Sequence, residues 1–420
     1  MSRRSLAARV AAAVTLAVLL AVAAGQARVR AATIGWQGEA LISSPSIGDG
    51  WEPAVAADPS SQYVYAAWMQ YASNGVSIYY RVSADNGATW GTAKPLCASC
   101  GKGEYDVTLV TTSTGAVYAT FMQGNHIEFT QSSNHGATWS APVQISAGSW
   151  ADKPWLTASA DGQNVYVMWA SHGNVVSVSS HNAGATWSTP LQITNEQYIY
   201  YYPNGGTVLP NGTVVMAASE YPEKGNNTKN TGPVPIVVFR STNGGTSWQR
   251  TVVDTLNTGA TFATSSVTTV ASDTSGNLIV LYSGSTTVGA NGKVYVRRST
   301  DSGATWSAAT EMTTSAGGAD ATSVAAAGKG STIAITWMDN RGGGWNVWER
   351  QSTNGGSTWT ADSKASDATA GASYKTTAGF GFPYGDYDMV AINSAGKAVA
   401  IMGEGDSAQL HGDIWVNKQN

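Results

Sequence analysis

Apolar positions along this chain fall into short strand-like runs broken by turns rich in glycine, serine and asparagine. Three series of runs alternate in a fixed order. The first is EPAVAA, YDVTLV, KPWLTA, NGGTVL, SSVTTV, TSVAAA and YDMVAI, and the second is YVYAAWMQ, AVYATFMQ, NVYVMWAS, TVVMAASEY, LIVLYSGS, TIAITWMD and KAVAIMGEG. The third is SIYYRVS, HIEFTQS, VVSVSS, PIVVFRS, KVYVRRS, NVWERQS and the terminal HGDIWVNKQN. Seven units of A, B and C strands result, and six of them run on into a further D strand.

The turn that joins C to D repeats most closely. SADNGATW, SSNHGATW, SHNAGATW, STNGGTSW, STDSGATW and STNGGSTW end at Trp90, Trp139, Trp187, Trp248, Trp306 and Trp359. An Asp or Asn in such a turn accepts bonds from the following amides, and the glycine two residues on permits a positive φ. A period of about 50 residues marks a repeat architecture, which overrides the two or three domains that 420 residues would otherwise suggest.

The seventh unit ends at the C-terminus before any such turn, so it lacks a D strand. IGWQGEALIS (34–43) matches the tryptophan-led D segment TWSAPVQIS (138–146) but has no glycine turn before it. The N-terminal segment is therefore expected to pair beside HGDIWVNKQN, closing a ring and leaving no long free sheet edge. The expected fold is all-β: a seven-bladed β-propeller of four-stranded blades spanning residues 32–420 as one domain.

Composition supports this. Charged residues are only 12%, beside 47 glycines, 16 tryptophans and 18 tyrosines, which suits strands and tight turns. A net charge of -4 offers no basic stripe for nucleic acid. Residues 1–31 carry Arg3, Arg4 and Arg9, then an apolar run from Val10 to Ala24, and are expected to be an export signal. The Arg3-Arg4 pair leans toward the twin-arginine type, with an ordinary secretory signal as the alternative, and either makes the protein secreted. No later run is long and apolar enough to span a bilayer. Cys97 and Cys100 are the only cysteines and are expected to form a local disulfide; a metal site would need two more ligands.

The six turns resemble the Asp-box of the sialidase-like propellers, with serine, Asp or Asn, glycine and tryptophan at fixed spacing. The resemblance implies a structural turn on the face opposite the catalytic one. It also implies, for sialidases proper, an Arg-Ile-Pro motif, three arginines for a substrate carboxylate, a tyrosine nucleophile paired with glutamate, and six blades. No Arg-Ile-Pro occurs here, and Arg81, Arg240, Arg297, Arg298 and Arg350 lie in strands leading into the turns. Only Arg341 falls on the candidate face.

That face gathers the loops before A strands and after B strands. For a glycoside hydrolase, the candidate catalytic residues are Asp152, Glu220, Tyr221, Asp339, Asp386 and Asp388. For the alternative, a polysaccharide lyase, His126 and His172 at matching B-to-C turns are candidate bases, with Arg341 or Lys153 to neutralise a uronate. Candidate substrate-binding residues are Glu52, Asp106, Lys153, Tyr201, Tyr202, Arg341, Tyr387 and Glu404, because acids accept sugar hydroxyls and aromatic rings stack on sugar faces. The polar loop 221–235 reads equally as a specificity lid and as a surface insertion. A third class is a noncatalytic glycan- or protein-binding propeller. The expected partner is carbohydrate, the expected state a monomer, and no cofactor is required, although Asp386, Asp388, Glu404 and Asp406 offer a place for structural calcium.

Overall fold

The computed structural model describes residues 35–148, 150–196, 199–222, 232–257, 268–366, 388–404 and 412–420. It contains seven antiparallel four-stranded sheets, the blades of a seven-bladed propeller. Blades 1 to 3 have inner A strands Gly50–Ala57, Glu104–Thr111 and Asp152–Ala158, and B strands Val64–Ala72, Val117–Gln123 and Val165–Ser171. The A strands of blades 4 to 7 are Ile199–Val208, Thr268–Ser272, Ala321–Lys329 and Met389–Ile392, and their B strands are Val214–Pro222, Leu278–Gly284, Thr332–Asp339 and Ala398–Glu404. The C strands follow in the expected order. D strands are two residues long except in blade 4, where Gln249–Leu256 makes a full strand.

The last blade closes as the sequence predicts. Ala40 and Leu41 pair with Val416 and Trp415 of Asp413–Lys418, and Trp36 bridges Gln419. Trp36 is fully buried, and its Nε1 donates to Ser363 Oγ of blade 6 at 2.8 Å. The N-terminal strand thus both completes blade 7 and ties it to its neighbour.

Inner strands are apolar on both faces because each sheet packs against two others. In Val64–Ala72, for example, the first seven residues are all buried. One of the resulting clusters joins Met338 of blade 6 to Val390 and Trp415 of blade 7.

The repeated turns behave as their chemistry demands. Ser83 Oγ donates to Asp85 Oδ1 at 2.7 Å and accepts from the Gly87 amide at 2.8 Å, while Asp85 Oδ1 accepts from the Thr89 amide. The serine-to-glycine bond recurs at Ser132, Ser180, Ser241, Ser299 and Ser352. The tryptophans reach across blades: Trp139 meets Tyr80 edge-on at 5.6 Å, and Trp187 meets Phe129 at 4.9 Å. Each such contact locks a turn to the preceding blade. Cys97 and Cys100 form a disulfide in blade 1's D-to-A connection. Among the described residues no helix is long and apolar enough to cross a membrane. Residues 1–31 lie outside the described residues.

Candidate functional site

In blades 1, 2, 3, 4 and 6 the A strand slips against its B strand at one recurring place. The shifts fall between Trp51 and Ala54, Tyr105 and Thr108, Asp152 and Trp155, Pro203 and Gly206, and Thr322 and Ala325. Each inserts one extra residue, a β-bulge that re-aims a side chain. Glu52, Asp106, Lys153 and Ser323 occupy these bulges with φ of 49°, 50°, 52° and 50°. Positive φ is costly for residues with a Cβ, and such strain concentrates at functional sites.

The bulges bring three blades together. Lys153 Nζ stands 2.8 Å from Asp106 Oδ1 and 3.4 Å from Glu52 Oε1. All three side chains are largely buried, with Lys153 only 9% exposed. The Lys153 ammonium also lies 5.7 Å from the centre of the Tyr202 ring, which adds a cation–π contribution. Beside it, Asp152 accepts a 2.7 Å bond from the Tyr200 hydroxyl. Burial and then the charge of Asp106 push the Asp152 carboxyl above the usual range, with Lys153 opposing. The Tyr71 phenol is raised by burial and by Glu52, and Tyr200 by burial and by Asp152, so both stay protonated donors. Trp51 packs on Tyr71 with ring centres 5.2 Å apart. The result is a floor of three carboxylates and one lysine, rimmed by aromatic rings.

Of the residues expected from sequence, the structure brings Glu52, Asp106, Asp152, Lys153 and Tyr202 into this cluster. Tyr221 is buried directly opposite Tyr200 in the strand pairing. Other candidates lie elsewhere. Glu220 accepts from Arg250 Nε at 2.6 Å, and Tyr201 donates to Glu196 at 3.1 Å, both away from the cluster because strand side chains alternate in direction. Asp339 is fully buried, accepting from Trp337 Nε1 at 2.8 Å and Arg341 Nε at 2.9 Å. Arg341 also pairs with Asp362 and stacks 4.0 Å from the Trp348 ring centre, so this is a brace within blade 6.

His172 packs on Trp150 and His126 begins its strand with Nδ1 buried and unpartnered; no bond joins the two among the described residues. Asp388 faces the central channel, and burial followed by the nearby Glu404 charge raises its carboxyl well above the usual range. Asp386, Tyr387, Asp406 and most of the 221–235 loop lie outside the described residues. Tyr105 and Trp51 were missed as site residues; their adjacency to Asp106 and Glu52 was the signal. A wider depression of about 990 Å³ opens at the opposite mouth of the channel. Its walls are A-to-B turns around Asp161, Asn211 and Asp273, which hold their own loops rather than converge.

Solved structures share the overall fold. A Hadza microbial sialidase, Hz136, is 14% identical over 83% of this chain and 73% of its own, with a TM-score of 0.50. An ulvan lyase of a new polysaccharide lyase family is 10% identical over 88% and 94%, with a TM-score of 0.56. The α-L-arabinanase of Penicillium chrysogenum is 13% identical over 91% and 98%, with a TM-score of 0.50. The chain has a β-propeller fold in common with these structures. No family model and no curated protein matches it. At these identities the likeness is one of architecture, and the chemistry of this propeller rests on its own cluster.

Proposed function

We propose that the protein is a secreted glycoside hydrolase working on extracellular glycans at the Glu52–Asp106–Asp152–Lys153 cluster. The observation that carries this is the contrast between two neighbouring carboxyls. Asp152 is held toward its protonated form, while Asp106 is paired with Lys153. Carboxyls with environments pushed apart are what acid and base roles require. With Tyr200 donating to Oδ2, the proton of Asp152 belongs on Oδ1, from which it passes to the glycosidic oxygen as the bond to the sugar breaks. Asp106 then serves as the base or nucleophile, with Lys153 moderating its charge. Trp51, Tyr71 and Tyr105 form the surface on which a sugar ring stacks.

A fold shared with a sialidase and an arabinanase supports a carbohydrate substrate, and a fold shared with a lyase keeps elimination as the alternative. The cluster's own charges favour hydrolysis. Elimination needs a cation to neutralise a uronate, and Lys153 is already shared between two carboxylates. The test is mass spectrometry of products from a panel of neutral, sialylated and uronate-containing glycans. Products that gain a water support hydrolysis, and unsaturated uronate ends overturn it. Asp152→Asn should cut the rate by about 10²–10⁴-fold with little change in melting temperature; full activity in that variant would remove the site assignment.

A further inference from the structure

Beside the charged cluster, the channel face carries a second pair of rings. Trp150 stands two residues before Asp152, in the connection that leads into blade 3's A strand. Extending the pairing of Asp152 with Ala170 by two residues sets Trp150 opposite His172, and their rings meet with centres 5.5 Å apart. Side chains two apart on an extended chain point to the same side, roughly 6.6 Å from each other, so Trp150 borders Asp152 on its outer flank.

Both rings are half-buried, and the backbone beneath them is held firmly. Ser171 Oγ donates to the Trp150 carbonyl at 2.8 Å, and the next amide, of Ala151, donates to the Asn125 carbonyl of blade 2 at 3.0 Å. The turn after His172 is pressed on blade 4, where a Cβ on Gly173 would come within 2.9 Å of the Ile199 carbonyl oxygen. His172 itself is bent to a φ of 47°, a conformation that is costly for a residue with a Cβ. A platform fixed in this way loses little freedom when a ligand stacks on it.

The rim beside this platform selects the ligand. Two residues beyond the B-strand partner of the residue that precedes each bulge, blade 1 has Tyr71, blade 2 Gly124 and blade 3 His172. The Gly124 amide donates to the Gly103 carbonyl at 2.8 Å, and a Cβ on Gly124 would meet no described atom within 4 Å. The rim therefore dips at blade 2, over two glycines, between Trp51–Tyr71 on one side and Trp150–His172 on the other. None of the four wall residues is an acid or a permanently charged base. Such walls suit a neutral sugar chain, whose ring faces stack on the aromatics and whose hydroxyls bond to the imidazole and the Tyr71 hydroxyl. We propose that Trp150 and His172 form a second sugar subsite next to the cluster, which makes the substrate an unbranched neutral oligosaccharide and not a single terminal sugar. This subsite rests on the hydrolase reading of the cluster, and binding measured apart from turnover separates the two.

Binding is measured by calorimetry on the Asp152→Asn chain, with arabino-, xylo- and gluco-oligosaccharides from disaccharide to hexasaccharide as probes. One series should gain about tenfold in affinity from disaccharide to tetrasaccharide. Adding Trp150→Ala should erase that gain while weakening the disaccharide far less. His172→Asn, which tolerates the positive φ, should lose part of the gain and decides the matter if Trp150→Ala fails to fold. With Asp152 intact, Trp150→Ala should raise KM for the tetrasaccharide more than for the disaccharide. Length-dependent binding that Trp150→Ala abolishes, with no product from any intact chain, would keep the subsite and remove the hydrolase reading. The subsite is overturned if affinity does not rise with length, if no probe binds, or if both variants keep the gain.

Discussion

Glu349 offers the sharpest test of how this ring is closed. It lies in the C strand of blade 6, opposite Ser363, the residue that accepts the Trp36 indole bond. The side chain is 1% exposed and its Oε1 has no partner. Burial raises its carboxyl from the ordinary 4.5 to about 7, with the amides of Gln351 and Gln419 opposing. A raised acid binds its proton more tightly in the folded chain, so its destabilising effect is absent below 4.5, grows as pH rises, and is complete above about 7. At about 1.4 kcal/mol per pH unit the full effect is about 3 kcal/mol. Glu349→Gln removes the titration but leaves an amide hydrogen to be satisfied, at a cost of about 1 kcal/mol. The variant should be slightly less stable than wild type near pH 4.5 and more stable by about 2 kcal/mol near pH 8. With an unfolding entropy of about 2.1 cal/mol/K per residue, the roughly 3 kcal/mol swing corresponds to about 4 °C in melting temperature. Glu104, also pushed up to about 7, titrates in the same window but cancels in the comparison at each pH. A variant-minus-wild-type difference that does not change with pH would refute the assignment.

Trp36→Ala should lower stability by about 3–5 kcal/mol, measured by denaturant melts, because it empties a fully buried indole site and releases the seam between blades 6 and 7. Asp339→Asn should cost about 3 kcal/mol by leaving Arg341 poorly compensated, yet should preserve the turnover of whatever molecules remain folded, measured per active protein; a selective loss of turnover would return Asp339 to the active site. Lys153→Met should destabilise by about 3–5 kcal/mol, read as a lower melting temperature, because it leaves Asp106 and Glu52 buried without their cation.

The architecture was legible because its determinants are local. Ser83, Asp85, Gly87 and Thr89 make their turn with one another, so six copies of that pattern identify six C-to-D connections without knowledge of any other blade. Even the closing strand could be found, since Trp36 and Ile42 repeat the spacing of a D segment. The site was less legible because its determinants are not local. Lys153 and Glu52 are separated by 101 residues, and only the recurrent bulge turns both toward the axis. A bulge changes which face a side chain takes, so a strict period of two misassigns residues at its edge. The end of a B strand carries no such bulge, and Glu220 and Asp339 there follow the strand's alternation into the sheet, where Arg250 and Arg341 meet them. Their sequence context, an acid at the end of an apolar run, is identical in kind to that of a channel-facing acid. What separates the two classes is the partner: arginines of the same blade hold Glu220 and Asp339, whereas the bulge acids meet a single lysine across blade boundaries. A propeller that strains the same backbone position in four blades, and places acid, acid and lysine on three consecutive ones, has directed that strain at the channel mouth rather than at its own stability.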